Sequence, residues 1–221
     1  MRYALVSGQK LEAQPGLKGI CANCSGEMVA KCGRIKIWHW SHKGRPPCDP
    51  WWEPETEWHR AWKNHFPVEW QEVIQIDLAT GEKHIADVRN PYGLVIEFQH
   101  SAIKFEERNS REKFYGEMIW VVDGKRNEFD EVNFNLGRGG RIQDDPLAYQ
   151  INWWGRSKFL HNWSDAKAKV YIDFGNEYLW RLVFFDPIKK VGAIGPVFKA
   201  AFIDDCLKGT SIRVTKYEAR K

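Results

Sequence analysis

Hydrophobic and polar positions along this chain change period twice. In the first 50 residues the alternation is short and two-fold: "MVAKCGRIKIWHW" reads as a β-hairpin turning at Gly33, and "GRPPCDP" closes the segment with residues that suit neither helix nor strand. From about residue 54 the period lengthens. Pro54 suits a first helical turn, Glu55 and Glu57 are acids near a helix start, and Trp58, Ala61 and Trp62 recur at helical spacing until Pro67. Three strand candidates follow, "VEWQEVIQID", "KHIADV" and "GLVIEFQ", separated by "ATGEK" and "RNPYG". A second helix is expected across "FEERNSREKFYGE" and a buried strand at "MIWVVDG". Beyond Gly124, "NLGRGGRI" reads as a loop and "LAYQINWW" is ambiguous. "AKVYIDFG" and "YLWRLVFFD" read as strands, "PVFKAAFIDDCL" as a helix, and Trp153, Trp154 and Trp180 as packing residues.

Composition narrows the class without choosing a function. The 221 residues suffice for one good-sized core with an appended module, and 43% hydrophobic with 28% charged residues is globular usage. No run approaches the roughly 18 apolar residues of a membrane span, and "MRYALVSGQK" has no apolar signal core, so the expectation is a cytoplasmic protein with no membrane partner. A net charge of +4 is compatible with a polyanion partner but does not require one. Five cysteines without a secretion signal argue for reduced thiols rather than a disulfide framework, which turns attention to metal.

Two groups of residues carry candidate chemistry. On "VIEFQ", strand alternation projects Glu97 and Gln99 from one face, and a short turn at Asn90 to Gly93 would pair that strand with the one bearing Asp87. Two carboxylates left half-buried need a cation, a hydrogen-bond network or solvent, and Mg²⁺ with several waters suits them. An exposed hairpin with both acids in water is the plainer alternative. Glu55, His59 and Lys63, at i, i+4 and i+8, would line one helix stripe, which is either a solvated face or part of the same site. The second group is Cys21-Ala-Asn-Cys24 with His39-Trp-Ser-His42, two thiolates and two imidazoles suited to a tetrahedral Zn²⁺. Cys48 could take the place of His39, and Cys32 is a third possibility; the alternative is a metal-free hairpin whose cysteines pack. Cys206 reads as a core residue.

The order helix, three strands carrying Asp then Glu-x-Gln, helix, strand is similar to the core of the PD-(D/E)XK nuclease superfamily, with Gln99 where that motif has lysine. "ETEWHRAWK", "IADV", "VIEFQHSAI" and "SREKFY", in that order, resemble the competence protein CoiA-like family over roughly residues 15–124. The resemblance implies an α+β fold. It would have an N-terminal zinc-ribbon-like hairpin module at 1–50, an αβββαβ restriction-endonuclease-like α/β core at 51–124, and a C-terminal β-rich extension at 125–221 packed on that core. It also implies a Mg²⁺- or Mn²⁺-dependent nuclease acting on DNA in uptake, recombination or defence. Asp87 and Glu97 would be the metal ligands, Gln99 would stand at the water-orienting position, and Glu55, His59, Lys63 and Arg111 would complete the catalytic group. Tyr115 and Ser101 match further motif positions, and the family shows a similar Cys pair and His-x-x-His, which supports structural Zn²⁺. A neutral amide cannot replace an ammonium, so charge stabilisation would fall to the metal, Lys63 or Arg111. Two rival readings are an inactive DNA-binding accessory protein on a nuclease scaffold and a zinc-stabilised protein-interaction module.

Overall fold

Ser7 and Gly8 adopt positive φ, 49° and 80°, so the chain reverses in two residues and Val6 comes to pair with Gln9. That twist suits a two-residue hairpin. It joins β1 (Tyr3–Val6) to β2 (Gln9–Glu12), and with β3 (Lys18–Ile20), β4 (Glu27–Lys31) and β5 (His39–His42) they form a sheet of order β2-β1-β3-β4-β5. The expected hairpin is present as β4–β5, but its strands are shorter and residues 32–38 connect them instead of a tight turn at Gly33. One face of the sheet buries Ala4, Ala13, Cys21, Met28 and Trp40.

The computed structural model describes residues 1–144 and 146–212, and the chain divides into two compact units, Met1–Arg89 and Asn90–Lys221. The first unit also holds α1 (Glu57–Lys63) and an antiparallel hairpin of β6 (Gln71–Ile76) and β7 (Lys83–Arg89). The helix begins later than the sequence predicts. Thr56 is its N-cap, accepting from the His59 N–H while His59 reaches back to the Thr56 N–H, a reciprocal cap that fixes the first turn. Glu55 therefore precedes the helix rather than starting a stripe on it.

The second unit contains β8 (Val95–Gln99), α2 (Phe105–Tyr115), β9 (Met118–Asp123), α3 (Glu128–Gly137), β10 (Arg138–Asp144), β11 (Leu147–Asn152), β12 (Lys169–Asp173), β13 (Tyr178–Asp186), β14 (Val191–Phe198) and α4 (Lys199–Lys208). Its strands run in the order β10-β11-β14-β13-β12-β9-β8. β9 pairs in parallel with both β8 and β12 and is buried along its whole length, as expected for a strand whose two faces are both covered. The C-terminal segment is thus not an appendage: β12 continues the same ladder, residue by residue, from β9. Trp120 on β9 packs against Trp163 at 5.3 Å between rings, and its indole N–H donates to Glu112.

Three further expectations change. "NLGRGGRI" is the end of α3 followed by β10, not a loop. In "PVFKAAFIDDCL" the first three residues finish β14, and only then does α4 begin. Trp153 and Trp180 are buried as expected, but Trp154 is 74% exposed. Cys206 is buried in α4 and its thiol is pushed up to about 12 by that burial.

A buried polar staple fixes the segment after the small sheet onto β7. His84 stacks on Trp51 at 3.2 Å and bonds Asp49 through Nδ1 and Glu82 through Nε2, each at 2.9 Å; Asp49 also accepts from the Ile85 and Trp51 N–H groups. Burial pulls the His84 imidazole down in pKa, but bonds to Asp49 and Glu82 outweigh it and the net shift is upward. At Asp49 burial pushes upward, and the bonds from His84, Trp51 and Ile85 hold the carboxyl below its usual value. A raised folded-state histidine contributes stability that is full below about pH 6.5 and is lost as pH rises through the higher folded value. The Asp49 contribution is present above about pH 4 and is lost as pH falls through its depressed value. Urea denaturation is expected to show stability declining from pH 6.5 upward, and His84→Gln should flatten that decline.

Candidate metal centres and acidic site

In the first unit the CxxC turn is closed by the Ser25 N–H donating to the Cys21 carbonyl at 2.9 Å, with Ser25 itself at φ 55°. Cys21, Cys24, His42 and Cys48 place four ligand atoms all within 4.8 Å of one another. The Cys21 and Cys48 sulfurs are 3.7 Å apart, and Cys24 Sγ lies 3.2 Å from His42 Nε2. Zn–S and Zn–N bonds at tetrahedral angles put such atoms about 3.8 and 3.6 Å apart, so this cluster could hold zinc. The Arg45 guanidinium donates to Cys24 Sγ at 2.7 Å and Asn23 Nδ2 to Cys48 Sγ at 3.4 Å.

Of the two expected alternatives for the fourth ligand, Cys48 is the one that joins the cluster. His39 and His42 lie three positions apart on β5, so alternation sends them to opposite faces. His42 faces the cluster, whereas His39 Nδ1 lies 2.8 Å from the Ile37 carbonyl. Cys48 arrives because the next residue, Asp49, is stapled to β7. Cys32, just past β4, packs beside the small sheet's core instead.

Burial pushes the Cys48 thiol up to about 12 and raises Cys21. At Cys24 burial also acts upward, but the Gly26 N–H, the neighbouring thiols and Arg45 bring the net shift below the ordinary value. Burial and Arg45 lower His42, favouring the neutral ligand form. Metal binding here would release thiol protons.

The acidic group of the same unit is organised around Lys63, the last residue of α1. Its ammonium is 3.0 Å from Asp87 Oδ1, 3.4 Å from Glu72 Oε1 and 3.8 Å from Glu55 Oε1. Burial would lower its pKa, but Asp87, Glu55 and Glu72 together raise it, so it is a cation at neutral pH. Glu55 is 4% exposed along its side chain, and neither oxygen accepts a hydrogen bond among the described residues; Arg60 Nε is 3.7 Å from Oε1. His59 does not face this cluster. Its Nδ1 serves the Thr56 cap and its Nε2 lies 3.4 Å from Glu53.

Glu72 is the member that the sequence analysis did not single out. It sits within β6 at φ 46°, a conformation costly for a non-glycine residue. Its oxygens accept from the Arg2 N–H at 2.7 Å and the Tyr3 N–H at 3.0 Å. Burial acts to raise its pKa, and Lys63 with these backbone donors lowers it. The available signal was an acid inside the alternating "QEVIQI", which alternation alone marks only as a polar face.

In the second unit Glu97 and Gln99 share one face of β8 and are both buried. Arg111 donates to Glu97 Oε2 at 2.9 Å and to Glu107 Oε1 at 2.5 Å, and its cation stands 5.9 Å over the Trp120 ring. Burial would lower the Arg111 pKa, but Glu97 and Glu107 raise it. Gln99 Nε2 donates to the Ser101 carbonyl at 3.0 Å and its hydroxyl at 3.4 Å, which ties together two residues of one motif. At the carboxyl ends of β8 and β9, His100 pairs with Asp123 at 2.7 Å beside a cavity of about 290 Å³ that also takes in Arg126, Asp130 and Lys158.

Comparison with protein-family models, curated proteins and solved structures finds no match to this chain. Among the described residues no helix is long and apolar enough to cross a membrane.

Zinc stoichiometry checks the ligand assignment: purified wild type and His39→Ala should each carry one zinc, whereas Cys48→Ser and His42→Ala should lose it or bind it far more weakly. Zinc lost from His39→Ala and kept by Cys48→Ser would reverse the assignment.

Proposed function

We propose that the protein is a divalent-metal-dependent nuclease that hydrolyses phosphodiester bonds of DNA, with structural zinc on Cys21, Cys24, His42 and Cys48. The observation that carries the reading is the Glu55 carboxylate, buried beside Asp87's partner Lys63 with neither oxygen hydrogen-bonded among the described residues. A carboxylate withdrawn from water needs compensation, and among the described residues the cations paired with Glu55, Arg60 and Lys63, stand beyond 3.5 Å. Hard oxygen donors of this kind suit Mg²⁺ or Mn²⁺. The resemblance to CoiA-like proteins supports the same assignment and adds Glu97 as the second ligand.

On this reading Asp87 offers its carboxylate to the cation, with Glu55 within its reach directly or through water; that Glu97 is a ligand is what the resemblance implies. Mg²⁺ or Mn²⁺ would supply Lewis-acid stabilisation of the phosphate and a more acidic water. The chain's own groups divide the remaining work. Arg111 is engaged with Glu97 and Glu107, so its part is to orient Glu97. Gln99, fixed by Ser101, can align a water by hydrogen bonding but supplies no charge. Lys63 stands 3.0 Å from Asp87. His59 acts on the helix cap and reaches the chemistry only through it.

One observation favours the accessory-protein reading: Lys63 and Arg111, the charges that would replace the motif lysine, are both occupied by carboxylates. DNA binding that weakens steeply with salt, without cleavage in any divalent metal, would establish that alternative. For the nuclease, Asp87→Ala and Glu97→Ala should each abolish Mg²⁺- or Mn²⁺-dependent cleavage, a loss of at least about a hundredfold, with the circular dichroism spectrum retained. Cleavage that survives both substitutions would sink the mechanism.

A further inference from the structure

The position of Lys63 bears on how any cation can reach Asp87. An ammonium and a divalent ion seek the same carboxylate oxygens, and at 3.0 Å the ammonium already holds Asp87 Oδ1. Two neighbours make this more than an ordinary ion pair. Glu72 is immobilised by the Arg2 and Tyr3 N–H groups, with Lys63 Nζ also donating to it at 3.4 Å. It is therefore a fixed anion to which the ammonium remains bound when Asp87 is withdrawn. Glu55 is the opposite case: its oxygens are nine-tenths buried and accept no hydrogen bond among the described residues, so they are available to an incoming ion at little cost in broken bonds. Asp87, with a side chain 22% exposed against 4–6% for the other three, is the open side of the cluster.

Building on the nuclease reading, we infer that Lys63 is the built-in counter-ion of a cation site formed by Asp87 and Glu55, and that a divalent ion enters by displacing the ammonium from Asp87 towards Glu72. Without metal, the lysine offsets part of the acids' charge and keeps them together. With metal, like-charge repulsion at close range weakens binding, so the ion is held loosely and exchangeably. A protein built this way trades metal affinity for a preformed, folded site.

The test uses the full chain with zinc loaded, so that the cysteine cluster is filled, and Mn²⁺ as the probe in calorimetry. Lys63→Met is expected to bind Mn²⁺ about tenfold more tightly than wild type, because the competing charge is gone. Adding Asp87→Asn to it should remove that binding. Mn²⁺ should also raise the melting temperature of Lys63→Met more than that of wild type. Affinity that is equal or weaker in Lys63→Met, or no binding in either protein, overturns the proposal. Should Lys63→Met fail to fold, the wild type serves: the Lys63 side-chain ¹⁵N resonance should move as Mg²⁺ is added and be unaffected in Asp87→Asn. A resonance unmoved at saturating Mg²⁺ rejects displacement. Tighter Mn²⁺ binding without DNA cleavage would retain this inference while rejecting the nuclease.

Discussion

A lysine ammonium leaves water only where anions replace its hydration, and Lys63 meets three of them. Breaking a buried pair of this type by removing one partner costs about 3–5 kcal/mol, so the arrangement constrains every element that contributes to it. Lys63 ends α1, Asp87 lies on β7, Glu72 on β6, and Glu72 in turn grips the backbone at the start of β1. One cation thus ties helix, hairpin and small sheet of the first unit. The strain at Glu72, φ 46° within a strand, is what aims its carboxylate at both the ammonium and the β1 amides.

The second unit solves the same problem with a different cation. Glu97 is drawn into a buried strand and compensated by Arg111, which α2 holds beneath a second acid and against Trp120. In both units a buried acid is paired with a base from the neighbouring helix. The zinc-suited cluster follows a related logic: a small sheet with a core of five buried residues gains little from apolar burial, and four convergent ligands are a means to fix it.

Much of the fold was legible because its strands have strong, unmixed patterns. "MIWVVDG" and "VIEFQ" are near-continuous apolar runs and became the buried parallel strands β9 and β8, and the order helix, three strands, helix, strand is present as the periodicity indicated. Polar segments misled: "NLGRGGRI" contains four residues of turn chemistry, yet pairing with β11 and the buried Phe134 of α3 override that local preference. At the candidate sites, residue type was readable and geometry was not. An H-x-x-H in a strand cannot present both rings to one metal, which becomes decisive only once β5 is known to be a strand. His59 looked like a site base and is a helix cap. Glu72 was invisible because its importance lies in backbone φ and in distant amides, neither of which leaves a mark on local composition.

The central claim is that the acids around Lys63 form a cation site. Diffraction from crystals soaked in Mn²⁺, recorded for its anomalous signal with the cysteine cluster filled by zinc, addresses it without recourse to activity. The account predicts a manganese peak about 2.1–2.2 Å from an Asp87 carboxylate oxygen, with the Lys63 ammonium moved away from Asp87. A saturating soak with no peak at Asp87, and Lys63 still seated on it, would contradict the account.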